Sequence, residues 1–489
     1  MELSWLMMVW RLACNPINHS TLHFTVEKFL CDIYSIICIF ELSTKKQIMK
    51  KNLLFALGFA GITALQAQEA KKIDFVEYDL DNGMHVILHE DHSTPIVSVS
   101  VLYHVGSKNE DPDRTGFAHF FEHLLFEGSE NIERGEFFKI VQGNGGVLNA
   151  NTSFDRTFYY EVLPSNQLEL GLWLESERML HAKIDQKGVE TQRGVVKEEL
   201  KQRYENTPYG TILPETFAHA YEKHPYQWTP AGSAEYINKA SLEEFMEFYE
   251  IFYVPNNATL SIAGDIDIKE TKKMVEKYFG SIPKGTKEIP RPDIVEPKKT
   301  AEVRDTVYDN IQLPAVVMGY HMPAQGEEDF YAVSMLSQLL SQGESSRFQK
   351  VVKDEKEKAI AVGAFPLPTE DPGLALMFGI TNMGVTADDL EAAMNEEIKR
   401  TQEELISEKE FEKLRNQVEN DFISGNSSVR GLAENLANYH VYFGDANLIN
   451  TEIDRYMKVT REDIKEVANK YLNKNQRLDL DYLPTPEAE

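Results

Sequence analysis

Cysteine is almost absent from this chain. Its 489 residues include three cysteines, Cys14, Cys31 and Cys38, and all of them lie near the N-terminus. The rest of the sequence therefore has no means of forming a disulfide framework or of using a thiol nucleophile. This absence is compatible with an oxidising compartment such as the periplasm.

Basic residues are also scarce relative to acidic ones. The chain carries 50 Lys and Arg against 78 Asp and Glu, a formal net charge of −28. Such a surface repels nucleic acid and anionic lipid, which excludes the usual partners of basic proteins. The acidity either favours basic peptide substrates or serves solubility, and composition does not decide between the two. With 42% hydrophobic residues in this length, we expect at least two globular domains.

The one long apolar run lies near the N-terminus. Met49-Lys50-Lys51 precede "NLLFALGFAGITALQA", which has the basic start, short apolar core and small residues of a secretory signal. We predict a signal peptide at 49–67 with cleavage after Ala67, and a periplasmic or secreted protein. Residues 1–48 are then a mis-annotated upstream extension, the alternative being a genuine one. A lipoprotein is disfavoured because no cysteine follows the apolar run.

Beyond the signal, apolar patterning predicts an α+β fold. Two alternating runs flank Asp81-Asn82-Gly83, which predicts a hairpin, and "VLNANTSFDRTFYYEVLP" predicts a further strand pair. Helices are predicted for "LELGLWLESERMLHAKI" and "ETQRGVVKEELKQRYEN". The helical stripe between the strand pairs consists of Phe117, Phe121, Leu124 and Leu125.

The second half of the chain repeats the first. The segment Ile282–Thr300 is rich in Pro and Lys and poor in apolar periodicity, so we predict domains at 70–283 and 301–489 joined by a linker at 284–300. "HFFEHLLFEG" aligns with "SMLSQLLSQG" at an offset of 215 residues. His119, Glu122 and His123 then stand opposite Ser334, Ser337 and Gln338. A ten-residue match can arise by accident, but as a repeat it predicts two duplicated α/β-layer domains, of which only the first binds metal.

The segment "HFFEHLLFEG" has the spacing of a metal site. His119 and His123 are four residues apart, so a helix presents both imidazoles on one face with Glu122 at its edge. Two imidazoles and one carboxylate would leave a fourth zinc position for water, whose proton a neighbouring carboxylate can take. The competing interpretation is a surface helix that carries two unrelated histidines.

A third ligand must come from another element, and "RGVVKEELKQRYEN" offers two glutamates. If Val195 and Val196 mark the buried side of this helix, Glu199 lies on that side, whereas Glu198 is turned toward solvent. We therefore choose Glu199 as the ligand.

These residues resemble the inverted H-x-x-E-H zinc peptidases, the inverzincins, a family that includes pitrilysin, insulinase and mitochondrial processing peptidase. The resemblance covers nearly all of the chain after Ile73, and in that family a glutamate about 75 residues after the second histidine completes the site. It implies a pitrilysin-like half-chamber that binds one zinc at His119, His123 and Glu199. Glu122 would be the general base of peptide hydrolysis, although manganese or cobalt could occupy the same site in vitro.

The resemblance also implies how substrate binds. Family members bind peptides as an added strand, and "NANTSFDRTFYYE" resembles the segment that presents the edge. Asn149 and Ala150 are the expected backbone contacts, and an ordinary sheet strand is the alternative. Seven residues before Glu199 the family often has a glutamate, where this chain has Gln192, a change expected to weaken the support of the ligands.

A second departure concerns donors to the transition state. Some family members have an Arg and a Tyr, seven positions apart, that donate hydrogen bonds to the transition state. The matching positions in this chain are Lys353 and Ile360, and isoleucine cannot donate a hydrogen bond to a developing oxyanion. We therefore expect a hetero-oligomer with a similar subunit that lacks the zinc motif and supplies both donors. A homodimer is the alternative assembly, and a non-catalytic, zinc-containing structural or assembly subunit is the alternative function. The natural substrate is not encoded in any motif.

Overall fold

The computed structural model describes residues 72–486, which contain two β-sheets with helices packed on both faces. The first sheet has the strand order β1-β2-β6-β3-β5-β4, and all neighbours are antiparallel except β2 and β6. Its strands are β1 (Val76–Asp79), β2 (His85–Glu90), β3 (Ile96–Tyr103), β4 (Val147–Thr152), β5 (Thr157–Pro164) and β6 (Ala258–Gly264). Strand β4 is an edge strand of this sheet.

The second sheet has the order β7-β11-β8-β10-β9, with β7 and β11 parallel and the other pairs antiparallel. Its strands are β7 (Val303–Asp309), β8 (Ala315–His321), β9 (Ala359–Leu367), β10 (Leu374–Thr381) and β11 (Arg477–Pro484). Without β1, the first sheet has the same order and the same single parallel pair. The duplication predicted from ten residues is therefore a duplication of whole sheets, and the predicted fold class is confirmed.

Helices connect the strands in both halves. In the first half they are α1 (Phe117–Leu124), α2 (Glu136–Gly143), α3 (Leu168–Leu180), α4 (Gln186–Leu200), α5 (Ile212–Ala220), α6 (Ala234–Lys239), α7 (Leu242–Phe252) and α8 (Ile268–Phe279). In the second half they are α9 (Glu328–Ser341), α10 (Ala387–Glu403), α11 (Glu408–Gly425), α12 (Val429–Phe443), α13 (Leu448–Lys458) and α14 (Arg461–Tyr471). Short π-helical segments occur at Lys201–Glu205, directly after α4, and at Phe348–Glu355.

Local sequence signals placed several of these elements correctly. The Asp81-Asn82-Gly83 turn joins β1 to β2, and Gly83 takes the left-handed φ of +87° that this turn requires. The strand pair β4 and β5 and the apolar stripe of α1 are also present as predicted. All four stripe residues are at most 3% exposed: Phe117, Phe121, Leu124 and Leu125.

Each half covers one face of the other half's sheet. Helix α12 from the second half packs on the first sheet, where Leu436 lies in one apolar cluster with Ile87 and Ala263. Helix α5 from the first half packs on the second sheet, where Phe217 clusters with Val317 and other strand residues. The chain from Ile73 onward consequently forms one compact unit.

A buried polar network also connects the two halves. Lys108, 5% exposed, lies 3.3 Å from Asp155 in the first half. It also lies 2.5 Å from Glu370 and 3.0 Å from Asp371 in the second. Tyr226 donates a 2.6 Å hydrogen bond to Asp155. These carboxylates from both halves therefore share one buried cation, Lys108.

The segment between the sheets contains no helix or strand from residue 281 to 302. Since α5 packs on the second sheet and α12 on the first, the division into domains at 70–283 and 301–489 with a linker at 284–300 stays a proposal. The predicted signal peptide and the upstream segment lie outside the described residues. Among residues 72–486, no helix combines the length and the apolar composition needed to cross a membrane.

Candidate metal centre

Helix α1 holds the two histidines of the motif. Its N-terminus is capped by the buried Glu110 carboxylate, which accepts hydrogen bonds of 2.8 Å from the backbone N–H groups of Gly116 and Ala118. A carboxyl group at a helix N-terminus satisfies N–H groups that have no partner within the helix. His119 is 7% exposed and His123 is partly buried, so the capped helix presents both rings on the side that faces α4.

Glu199 on α4 completes a group of three. His123 Nε2 lies 3.1 Å from Glu199 Oε2, and His119 Nε2 lies 3.7 Å from Glu199 Oε1. The two rings are nearly perpendicular, at 85°, with their centroids 4.9 Å apart. One ligand atom from each residue lies within 4.8 Å of the others. The structure therefore brings together the three side chains that the sequence predicted as ligands.

The electrostatics keep these groups in the form that binds a metal. Burial lowers the pKa of His119 to about 4, and the neighbouring His123 contributes to this shift, so the His119 ring is neutral at pH 7. The hydrogen bond with His123, opposed by partial burial, lowers the pKa of Glu199 to about 2. A neutral imidazole and an ionised carboxylate are the ligand forms that zinc requires. The donor set of two nitrogens and one carboxylate thus fits zinc with a fourth position open.

The helix that carries Glu199 differs in one detail from its prediction. Val196 is fully buried, but Val195 is 46% exposed, so the interpretation of both valines as the buried side was wrong. Adjacent residues on a helix point about 100° apart, and α4 buries one narrow face. Glu199 lies three residues after Val196 on that face. Glu198 is exposed and accepts a hydrogen bond from Gln202 instead.

Glu122 lies beside the three candidate ligands. The Thr152 hydroxyl donates a 2.7 Å hydrogen bond to Glu122 Oε2. Burial raises the pKa of the Glu122 carboxyl, and the Thr152 hydrogen bond and His123 partly offset this shift. Thr152 is the last residue of β4, so the carboxylate is fixed at the end of the edge strand.

Strand β4 has a free edge next to this site. Within residues 72–486 it pairs with β5 alone, with Asn149 opposite Tyr160 and Ala150 opposite Tyr159. The Asn149 side chain is exposed, whereas Ala150 is 7% exposed and packs in the core. An edge strand leaves every second backbone N–H and C=O unpaired, which is the surface that an extended peptide can join.

Gln192 lies two turns before Glu199 on α4 and bonds outside the candidate ligand set. Its amide donates to the buried Glu127, four residues after His123. Glu127 also pairs with Arg134, which lies 3.0 Å from Asp185 at the N-terminus of α4. These hydrogen bonds and ion pairs connect the start of α4 to the segment that follows α1. Gln192 thus bears on the relative placement of the two helices that carry the ligands.

Three residues around the candidate metal centre could not be identified from the sequence pattern. Thr152 lies in a segment predicted as a strand, yet its bond to Glu122 depends on how β4 packs against α1. Glu110 precedes its helix by seven residues, too far for a standard cap. Arg203, in the π-helical turn after α4, lies 3.7 Å from Glu199 and adds a positive charge beside it.

The second half lacks an equivalent group at the matching positions. Ser334 and Ser337 are buried on α9, and Ser337 donates to the backbone of its own helix. Lys353 lies in the second π-helical segment, with its amine 3.5 Å from Gln349, and Ile360 is 49% exposed on β9. Among the described residues, no hydrogen bond or ion pair joins Lys353 to the histidines of α1.

The assignment of Glu199 as a ligand can be tested by mutation, with the adjacent Glu198 as the control. We expect Glu199→Gln to lower zinc affinity by at least about a hundredfold, because a neutral amide is a poor zinc ligand. Glu198→Gln removes the same charge one residue away and should leave the affinity unchanged. Competition with a chromophoric chelator measures both. Equal losses in the two variants would show that charge alone, without coordination by Glu199, governs binding.

Two family models match consecutive stretches of the chain. The model described as Insulinase (Peptidase family M16) matches residues 85–229, which include the three candidate ligands and Glu122. The model described as Peptidase M16 inactive domain matches residues 239–418, which begin at the end of the first half, after the candidate ligands, and continue into the second half. The candidate ligands and Glu122 thus fall within the first match and outside the second.

Relatives of known name agree with these matches. The chain is 32% identical over 400 residues to the zinc protease PqqE of Helicobacter pylori, which covers 81% of this chain and 90% of that protein. The crystal structure of a protease from Helicobacter pylori has a TM-score of 0.81 at 31% identity, covering 84% of this chain and 100% of the other. The chain belongs to the insulinase family of peptidases, family M16, and has the fold of its half-chamber proteins.

A longer protein shares the fold alone. The periplasmic protease PqqL from Escherichia coli has a TM-score of 0.68 at 19% identity, covering 85% of this chain and 48% of PqqL. In fold, this chain therefore corresponds to about half of PqqL.

Proposed function

We propose that this chain is a secreted or periplasmic zinc metalloendopeptidase that hydrolyses peptides or unfolded polypeptide segments. One catalytic zinc would be held by His119, His123 and Glu199. The observation that carries the proposal is the position of Glu122, beside the three ligands and bonded to Thr152 at the end of a free sheet edge. The secretory signal predicted at 49–67 supports the location.

Different residues of the chain would bind the substrate and transfer the proton. Strand β4 would bind the substrate as an added strand, with backbone contacts at Asn149 and Ala150. Zinc, when bound, supplies a Lewis acid that polarises a carbonyl and lowers the pKa of water. Glu122, whose pKa is raised by burial, would accept the proton from water and deliver it to the leaving amine.

A structural role for the metal explains less of this arrangement. A structural zinc is normally closed by four protein ligands and needs no base. Here three candidate ligands converge, and a second carboxylate, that of Glu122, is held next to them by its own hydrogen bond. The position of Glu122 therefore favours an enzyme over a zinc-containing assembly subunit.

The active site would be completed by a second chain. Ile360 cannot donate a hydrogen bond to a developing oxyanion, so we propose a similar subunit without the zinc motif as the source of an Arg and a Tyr. A homodimer is the alternative. PqqL, about twice as long as the region it shares with this chain, supports a pairing of two such folds.

The proposal is tested with the zinc-loaded chain and a mixture of quenched fluorescent peptides. We expect cleavage by the wild-type chain mixed with a zinc-motif-free subunit from the same source, and no cleavage after His119→Ala/His123→Ala. The partner's contribution is measured by assaying the chain alone in parallel. Full activity of the chain alone, unchanged by any added subunit, would contradict the hetero-oligomer. Stoichiometric zinc without cleavage under either condition would contradict the enzyme and support the structural alternative.

A further inference from the structure

Two histidines from different halves of the chain meet on the face of the first sheet opposite to α1. His85 on β2 points to the same face as Ile87, the face that α12 covers through Leu436. His440 lies one helical turn after Leu436. The rings of His85 and His440 stack with centroids 3.4 Å apart and an interplanar angle of 1°.

Two carboxylates from the edge strand β1 border this pair. Asp79 stands directly opposite His85 in the antiparallel register, and Glu77, two residues earlier, is on the same face. His85 Nδ1 lies 2.8 Å from Asp79 Oδ1, and His85 Nε2 lies 3.4 Å from Glu77 Oε2. The Nε2 atom is buried and has no hydrogen-bond partner.

With Asp79 accepting a hydrogen bond from Nδ1–H, the neutral His85 ring would carry its lone pair at Nε2. A ring whose Nδ1–H is held by a carboxylate presents a lone pair at Nε2, and this is the usual arrangement of histidines that bind metals. The unpartnered Nε2 faces Glu77 and lies beside the ring of His440. A buried acceptor without a donor is costly, and a cation at this position would satisfy it.

We propose that Glu77, His85 and His440 bind a second divalent transition-metal ion, with zinc as the first candidate. One ligand atom from each lies within 4.8 Å of the others. Ligands of a tetrahedral zinc are roughly 3.4 Å apart, and an imidazole coordinates in the plane of its ring, so binding would turn the rings out of the parallel stack until both lone pairs point at the ion. The Glu77 side chain is 45% exposed, which gives the ion a path from solvent and leaves room for water as a further ligand.

Other charged groups in the described part of the chain lack this combination. Both ring nitrogens of the exposed His92 already have carboxylate partners, Glu90 at 2.9 Å and Asp265 at 2.6 Å. The acidic group of Glu302, Glu391 and Asp479 is neutralised by the Arg477 guanidinium, which lies within 2.6 Å of all three. The proposed second site combines two imidazoles, a buried ring nitrogen without a hydrogen-bond partner and an accessible carboxylate.

The second ion would have a structural role. It would connect β1 and β2 of the first half to the last turn of α12, which belongs to the second half. Because the sheet separates it from His119 and His123, it takes no part in the proposed hydrolysis. The inference therefore does not depend on the proposed function.

Zinc content tests this proposal directly. After removal of metal by a chelator, reconstitution with zinc and gel filtration, we expect two zinc ions per wild-type chain. His440→Phe preserves the ring stack but removes the nitrogens, and Glu77→Gln removes the carboxylate charge. Each should reduce the content to one. His119→Ala/His123→Ala should also retain one ion, and adding His440→Phe to that variant should leave none.

The matched control is His92→Phe, which removes a histidine between two carboxylates and should retain two ions. One zinc per wild-type chain, with none in His119→Ala/His123→Ala, would overturn the proposal. Two ions in both His440→Phe and Glu77→Gln would also overturn it. Circular dichroism of each variant identifies a loss caused by misfolding.

Thermal unfolding gives a second readout that is independent of activity. In the His119→Ala/His123→Ala background, zinc should raise the Tm, because a ligand that binds the folded state stabilises it by mass action. The rise should disappear when His440→Phe or Glu77→Gln is added. A zinc-dependent rise that persists in both variants would place the bound ion elsewhere.

Discussion

We expect Glu122→Gln to reduce kcat/KM for peptide cleavage by about 10²- to 10⁴-fold, the usual contribution of general acid–base catalysis, while zinc remains bound. Glutamine has the shape of glutamate, and its carbonyl oxygen can still accept the 2.7 Å hydrogen bond from Thr152. It cannot accept a proton from water at neutral pH. The variant therefore removes the base and leaves the packing of α1 and the ligands in place.

The assay uses quenched fluorescent peptides and measures metal content in the same samples, with the partner subunit present if the chain alone is inactive. Glu198→Gln is the control, since this exposed acid lies one residue from a ligand and has no contact with α1 among its hydrogen bonds. Unchanged cleavage by Glu122→Gln would exclude Glu122 as the base. Loss of zinc together with cleavage would instead assign Glu122 to metal binding.

Replacement of Lys108 should have the largest effect on stability. We expect Lys108→Met to lower the free energy of unfolding by about 3–5 kcal/mol, the cost of removing one partner from a buried ion pair. Methionine fills most of the space, but Asp155, 2% exposed, loses the cation 3.3 Å away. Glu370 and Asp371 lose the same partner, so the contact between the two halves weakens at its polar centre.

Urea unfolding followed by circular dichroism and tryptophan fluorescence measures this effect. Lys139→Met is the matched control, because its ion pair with Glu136 is exposed, with the lysine side chain 70% accessible. Exposed pairs contribute little, so this variant should stay within about 0.5 kcal/mol of the wild type. If Lys108→Met unfolds at the same urea concentration as Lys139→Met, the network does not stabilise the contact between the halves.

Sequence patterns were informative wherever function depends on spacing within one element. The four-residue separation of His119 and His123 and the choice of Glu199 over Glu198 follow from the period of a helix, and the structure brings these three residues together. The same reasoning failed at Val195, because two adjacent apolar residues do not show which of them faces the neighbouring helix. The short repeat indicated a duplication but not its extent, which the order of strands in the two sheets makes plain.

The sequence by itself therefore determined the helix of the two candidate histidine ligands, the position of Glu122 beside them and the repeated α/β layers, since each depends on a local period of apolar and polar residues. Only the tertiary structure showed that Thr152 donates to Glu122 and that each sheet is covered by a helix from the other half, α12 on the first and α5 on the second. It also showed that His85 stacks on His440, which is 355 residues further along the chain. These contacts arise from the way the buried faces of distant elements pack. No local pattern records that packing, because the same apolar face can cover many different partners.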